Sequence, residues 1–179
     1  KIQRVLGRPK STLRGKGLYR IKDHYLDFWF GFVFPNQASL ERGLEPSLWN
    51  NESALQQYFS FKFEDFILDL LPYLGIAEFN QLGRWWYKDI EIDLCAIDES
   101  TPLLFVGECK WRENVNANEI MTALEPKADA IPWKKPSRTV LFGIFAKSFA
   151  KRIQTFHAYS VICMNFSDLE KIFVPKTTT

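Results

Sequence analysis

The sequence predicts an α/β fold: a mixed central sheet with helices on both faces, preceded by a short basic segment. Three observations predict it. From residue 52 onward the order reads helix, three strands, helix, strand, helix, strand, helix. The three consecutive strands are joined by short turns and make an antiparallel meander, whereas the later strands are separated by helical stretches and need crossovers. The third observation is charge. Residues 1–22 hold eight of the 23 Lys and Arg and none of the 21 Asp and Glu, so the remainder carries an excess of six acids.

In chain order, residues 1–22 carry Gly7, Pro9, Gly15 and Gly17. This spacing predicts a basic hairpin or wing with "GRPKSTLRGKG" at its tip and "LYRI" as the return strand. Residues 23–34, "DHYLDFWFGFVF", predict a helix capped by Asp23 and ended by Pro35. That helix is aromatic nearly all round, which marks a buried or docked element. The boundary between this N-terminal part, 1–35, and the α/β domain, 36–179, falls here. A loop with one helical turn covers 36–51. Residues 52–73 form an amphipathic helix whose stripe is Leu55, Phe59, Phe63, Phe66 and Leu70, closed by Pro72 and Gly75. Strands follow at about 82–87, 90–97 and 103–111, then a helix near 117–130 weakened by Pro126. "TVLFGIFAKS" at 139–148 is a buried-type strand. A helix near 149–158, a strand at 161–166 and a last helix capped by Ser167 with Glu170 complete the order.

Composition excludes several classes. No apolar run approaches the ~18 residues a membrane helix needs. No secretory leader opens the chain, and a start at Lys1 suggests a piece of a longer protein. Cys95, Cys109 and Cys163 make no CxxC pair, and there are only two histidines, so a cysteine zinc site is not expected. Buried reduced thiols fit a cytoplasmic protein. The chain carries no GxxxxGK[ST] and no internal repeat.

The chemistry lies in "EIDLCAIDESTPLLFVGECKW", residues 91–111. With Glu99-Ser100-Thr101-Pro102 as the turn, Asp98 faces Leu103, and the ladder continues to Asp93–Glu108, Glu91–Lys110 and Asp89–Arg112. Ile90, Ile92, Leu94 and Ala96 then share a core face with Phe105, Gly107, Cys109 and Trp111. Two of these rungs are ordinary cross-strand ion pairs of a solvent-facing ladder and need no function. The Asp93–Glu108 rung does not fit that account. Like charges directly opposite destabilise a sheet, so either one carboxyl has a raised pKa or a cation sits between them. Two carboxylates with a lysine two residues further along the same face suit a hard divalent ion, its water and a phosphate.

"EID", 14 residues and "ECK" resemble the motif of the PD-(D/E)xK nuclease-like superfamily, which includes restriction endonucleases and Holliday-junction resolvases. The resemblance implies a nuclease-like core, with Asp93 and Glu108 as ligands for Mg2+ or Mn2+ and Lys110 as the catalytic lysine. Glu64 in "FKFEDF" is then the acid many members add from the preceding helix. Ile92 replaces the motif's proline. More narrowly, "LYRIKDHYLDFWFGFVFPN", "RWW" and "EIDLCAID…LLFVGECKW" are similar to the C-terminal region of archaeal P-loop ATPases, where a winged-helix segment precedes a nuclease-like domain of unknown function. That implies an N-terminal ATPase domain in the full-length protein, with residues 1–22 as the wing.

The expected activity is phosphodiester hydrolysis in DNA by a metal-dependent endonuclease-like domain. Arg8, Lys10, Arg14 and Lys16 would contact the nucleic-acid backbone, joined by Arg84 near the metal. The alternative expectation is a catalytically inactive nuclease-fold module that binds DNA, or docks on the ATPase or on a second copy of the chain.

Overall fold

The structure of the chain, a computed structural model, describes Ile21 and residues 23–44, 52–135 and 137–173. The expected basic hairpin, with Arg8, Lys10, Arg14 and Lys16, lies outside these residues. The described residues separate into two compact units, one up to Phe59 and one from Ser60 onward.

In the first unit Asp23 caps α1 (His24–Phe28), its Oδ1 accepting the Leu26 N–H at 2.9 Å. Pro35 does not end the helical path, contrary to expectation. A π-turn (Trp29–Val33) and a 3-10 turn (Phe34–Asn36) follow, then α2 (Gln37–Glu41). Pro35 sits in the first turn of the 3-10 segment, where an N–H has no intrahelical partner and its loss is harmless. Asn36 Nδ2 donates to the Phe32 carbonyl at 2.8 Å, covering an acceptor there. Tyr58, in the first half of α3 (Glu52–Leu70), packs its ring on Phe28 and Phe32 at 5.8 and 5.0 Å between centroids.

In the second unit α3 buries Phe63, Ile67, Leu68 and Leu70. The expected stripe is therefore partly wrong: Phe59 and Phe66 are 39% and 43% exposed. The face that packs runs through 63, 67, 68, 70 and 71, rotated by roughly 80° about the helix axis from the stripe expected above. Pro72 in a 3-10 turn (Leu71–Tyr73) and Gly75 at φ +66° close the helix as predicted.

Strands β1 (Gln81–Tyr87), β2 (Ile90–Asp98) and β3 (Leu103–Lys110) form the predicted meander. A two-residue β4 (Val115–Asn116) leads into α4 (Ala117–Asp129), where Asn116 accepts the Asn118 N–H. Strand β5 (Thr139–Ala146) lies parallel to β3, and β8 (Tyr159–Met164) parallel to β5. The main sheet runs β1-β2-β3-β5-β8-β7, a mixed sheet as predicted. The helix expected near 149–158 is absent. That segment forms β6 (Phe149–Lys151), paired with β4, and β7 (Thr155–Phe156), which turns back onto β8. His157, at φ +48°, supplies the left-handed residue of that tight turn. The last helix, α5 (Phe166–Phe173), is capped by Asn165 rather than Ser167. Asn165 Oδ1 accepts the Asp168 N–H, and Asp168 Oδ2 accepts the Asn165 N–H. This reciprocal box sits two residues before the expected one.

Helices cover both faces. On one, α4 packs Ala117, Ile120, Met121, Leu124 and Ala128 against Ile92, Cys95, Ile97, Leu104, Val106 and Phe142. On the other, α3 and Leu169 of α5 pack against Leu94, Ala96, Phe105, Cys109 and Phe145. Both faces of the central strands are thus core, and each large side chain they bury contributes ~1.5–3 kcal/mol.

The predicted register holds from Asp98↔Leu103 to Leu94↔Gly107, and there the β2–β3 ladder stops. The cause is on the other side of β2. Gly83 pairs with Cys95, but Trp85 pairs with Ile92, so Arg84 stands opposite two residues, Asp93 and Leu94. This β-bulge reverses the alternation and bends the strand. Ile92 therefore joins the α4-side core while Leu94 and Ala96 join the α3-side core, and the single core face expected for them is corrected. Below the bulge β2 follows β1, and β3 runs on beside β5 to Lys110.

Candidate functional site

A polar cavity of about 350 Å3 opens where β2 and β3 part. Ser60 and Glu64 of α3 form one wall and Asp93 of β2 another, with Cys109 and Lys110 closing the β3 side. Trp111 and Arg112, just past β3, form the rim. Chain geometry explains the placement. The bulge turns Asp93 out of the ladder, and the freed N–H of Cys109 donates to Asp93 Oδ2 at 2.9 Å. A side-chain bond thus takes over from the backbone rung that the fork removes.

The Asp93 carboxyl is pushed up to about 7. Burial is the largest cause and the nearby Glu108 charge the second, while the Cys109 N–H and Lys110 pull the other way. Burial also raises Glu64, opposed by the hydrogen bond from Arg84.

Glu108 is 8% exposed. Its Oε1 lies 2.6 Å from Lys110 Nζ and its Oε2 lies 3.4 Å from Lys127 Nζ on α4. The expected Glu91–Lys110 and Asp89–Arg112 pairs do not form among the described residues, because the strands have parted before those rungs and Lys110 folds back onto Glu108 instead. Arg84 is not turned to the cavity as a free cation. Its Nε and Nη2 donate to Glu64 Oε2 at 3.1 and 3.0 Å, and Nη2 lies 2.8 Å from Asp65 Oδ1.

Asp93, Glu64 and Lys110 thus share the cavity. Glu108 does not line it, but acts there through Lys110 and through its charge on Asp93. Among the described residues no group of three or more His, Cys, Asp or Glu side chains could hold a metal by itself. The donor set fits a small hard cation in one way: two carboxylates, with the remaining ligands from water and a bound phosphate. The placement of Asp93 and Glu64 on two walls of one polar cavity is the geometry that favours such an ion.

Sequence reasoning missed Lys127, and a signal for it existed. It stands three residues after Leu124 and seven after Ile120, at the border of the buried face of α4, where a half-buried lysine calls for a partner. Asp98, also in strand β2, is a turn cap. It accepts from the N–H and Oγ of Ser100 and from Thr101, which hold its carboxyl down to about 2. His24 is exposed, and His157 pairs with Glu125 at 3.1 Å.

Fold and site define a class: an α/β domain whose mixed sheet forks at a carboxylate–lysine cluster. Residues 29–121, just over half of the chain, match the family described as "Archaea bacterial proteins of unknown function" (DUF234), and the chain belongs to that family. It is similar to an uncharacterized protein of Methanocaldococcus jannaschii, MJECL04, at 31% identity over 121 residues, 63% of this chain and 26% of that protein. It is also similar to the beta-hexosaminidase subunit beta of Rattus norvegicus, at 28% identity over 102 residues, 55% of this chain and 19% of that protein. The matched region spans about a quarter or less of the length of these curated relatives. No solved structure matches the chain.

Proposed function

We propose that this domain hydrolyses phosphodiester bonds in DNA with Mg2+ or Mn2+, on a PD-(D/E)xK-type nuclease core. The observation that carries this reading is the fork. Asp93, its pKa raised by burial and by Glu108, shares a polar cavity with Lys110 and Glu64. Asp93 would hold the ion from the cavity wall, and Glu108, outside the lining, would join it once Lys110 lets go of Oε1. The ion when bound would supply a Lewis acid and an acidified water. Lys110 leaves Glu108 to hold the attacking water or a phosphate oxygen, where its charge offsets the charge that builds on phosphorus. Glu64 orients the water from the α3 wall. Arg84 fixes Glu64 through its fork, and serves as a phosphate contact only when it gives up Glu64 and Asp65. The basic residues Arg8, Lys10, Arg14 and Lys16 grip the DNA backbone as part of a winged-helix remnant. A P-loop ATPase domain in the same full-length protein and a cytoplasmic setting belong to the same proposal. Among the described residues no helix is long and apolar enough to cross a membrane.

A second reading is a nuclease-fold module without turnover, used for DNA binding or for docking to the ATPase or a second subunit. The two lysines that neutralise Glu108, itself outside the cavity lining, favour it. Nicking of supercoiled plasmid with Mn2+ separates the two. The wild type is expected to nick, and Asp93→Ala to lose at least ~100-fold while keeping its melting temperature. Equal nicking by both proteins removes Asp93 from the mechanism.

A further inference from the structure

Lys127 belongs neither to the motif nor to the cavity wall, yet it reaches the site. It stands beside the buried row of α4, half-buried, with its ammonium reaching Glu108 on β3. The end of α4 and the loop that follows it are tied together by Arg138. Arg138 donates to the carbonyls of Ala128, Ile131 and Trp133 at 2.9, 2.6 and 2.8 Å. Lys127 is therefore carried on a fixed platform, 3.4 Å from Glu108 Oε2.

The two lysines divide the carboxylate between them, Lys110 on Oε1 and Lys127 on Oε2. A carboxylate as buried as Glu108 is costly without a counter-charge. Lys110 supplies one only while it stays, and the proposed chemistry requires it to leave. We propose that Lys127 is a positioning residue of this site: from α4 it holds Oε2 of Glu108, so that the carboxylate keeps its orientation and a counter-charge when Lys110 turns to the substrate. This role rests on the nuclease reading above. Lys127 touches neither the phosphate nor the water; it acts through Glu108.

The test compares the full chain as wild type, Lys127→Met and Lys127→Arg. Mn2+ affinity is read by electron paramagnetic resonance, and Mn2+-dependent plasmid nicking gives kcat and KM. Removing a positive charge beside the carboxylates makes the site more attractive to a cation, so Lys127→Met is expected to bind Mn2+ about threefold or more tightly. A misplaced Glu108 is expected to lower kcat about tenfold or more, with KM for DNA held within about twofold. Lys127→Arg is expected to restore both. A purely structural role lowers metal binding and turnover together, and that joint loss overturns the proposal. So does a Lys127→Met protein that nicks like a wild type that is itself active. A wild type that binds Mn2+ and nicks nothing refutes the nuclease reading; tighter Mn2+ in Lys127→Met then still upholds the hold on Glu108, and unchanged affinity overturns it. Where circular dichroism finds Lys127→Met unfolded, Lys127→Gln takes its place.

Discussion

Asp93 is the residue on which the account turns. Its ordinary carboxyl value of 3.8 is pushed up to about 7. Between those values the folded chain binds a proton that the unfolded chain does not. Stability from this group is therefore fully present below about pH 4 and is lost as pH rises through about 7. Asp93→Asn removes that penalty, so the variant is expected to melt above wild type at pH 8 and to converge with it below about pH 4. Three pKa units set a ceiling of about 4 kcal/mol, and the polar, open side of the cavity reduces it. A variant that melts below wild type at pH 8 contradicts the assignment. The same proton must leave when a cation binds, so Mn2+ affinity is expected to rise with pH up to about 7 and then level off. At this scale the sequence was legible where a residue type was out of place. A carboxylate expected opposite a carboxylate singled out Asp93 and Glu108, although the ladder ends before that rung. Lys127, at the border of a buried helical face, carried a weaker signal of the same kind. The hold of Arg84 on Glu64 and Asp65 could not be read, because it joins a helix and an edge strand that share no pattern in the chain.

Elements were legible where local rules decide them. The four-residue turn fixed the register of β2 on β3, and the prediction held for every rung that exists. It failed at Asp93 because the bulge answers to β1, a third strand whose pairing a two-strand argument does not contain. The helix expected at 149–158 failed for a related reason. "FAKRIQTFH" carries no strand alternation of its own, and its short strands exist only because Val115 and Tyr159 offer partners. Packing between elements yields a sharper prediction. Gly107 and Gly143 face each other across the parallel β3–β5 pair. A Cβ at Gly143 would run into the Phe105 ring, at Cζ and at Cε2, and would crowd Phe145 Cε2 at 3.1 Å. Phe105 is fully buried and has no room to give. Gly143→Ala is expected to lower unfolding stability by about 1–3 kcal/mol in urea, with an unchanged m-value. Wild-type stability in that variant means the ring shifts at no cost.

For the whole molecule, the α/β class, the mixed sheet and its two covered faces followed from element order and short connections. The division of charge along the chain was equally plain, and it makes a prediction about DNA. If Arg8, Lys10, Arg14 and Lys16 each neutralise one phosphate, replacing all four by Ala reduces the slope of log K against log salt by about 3 to 4. An unchanged slope moves the DNA contact elsewhere. The proposed function at this scale rests on the fork, where two interior strands part and, with a helix, bring two carboxylates and a lysine to one cavity. The measurement that tests this most directly is a calorimetric titration of Mn2+ into the wild type and into Asp93→Ala at pH 7.5. The account predicts one site in the wild type and loss of binding in the variant. Equal binding by the two proteins, or none by the wild type even with a phosphodiester analogue present, contradicts it.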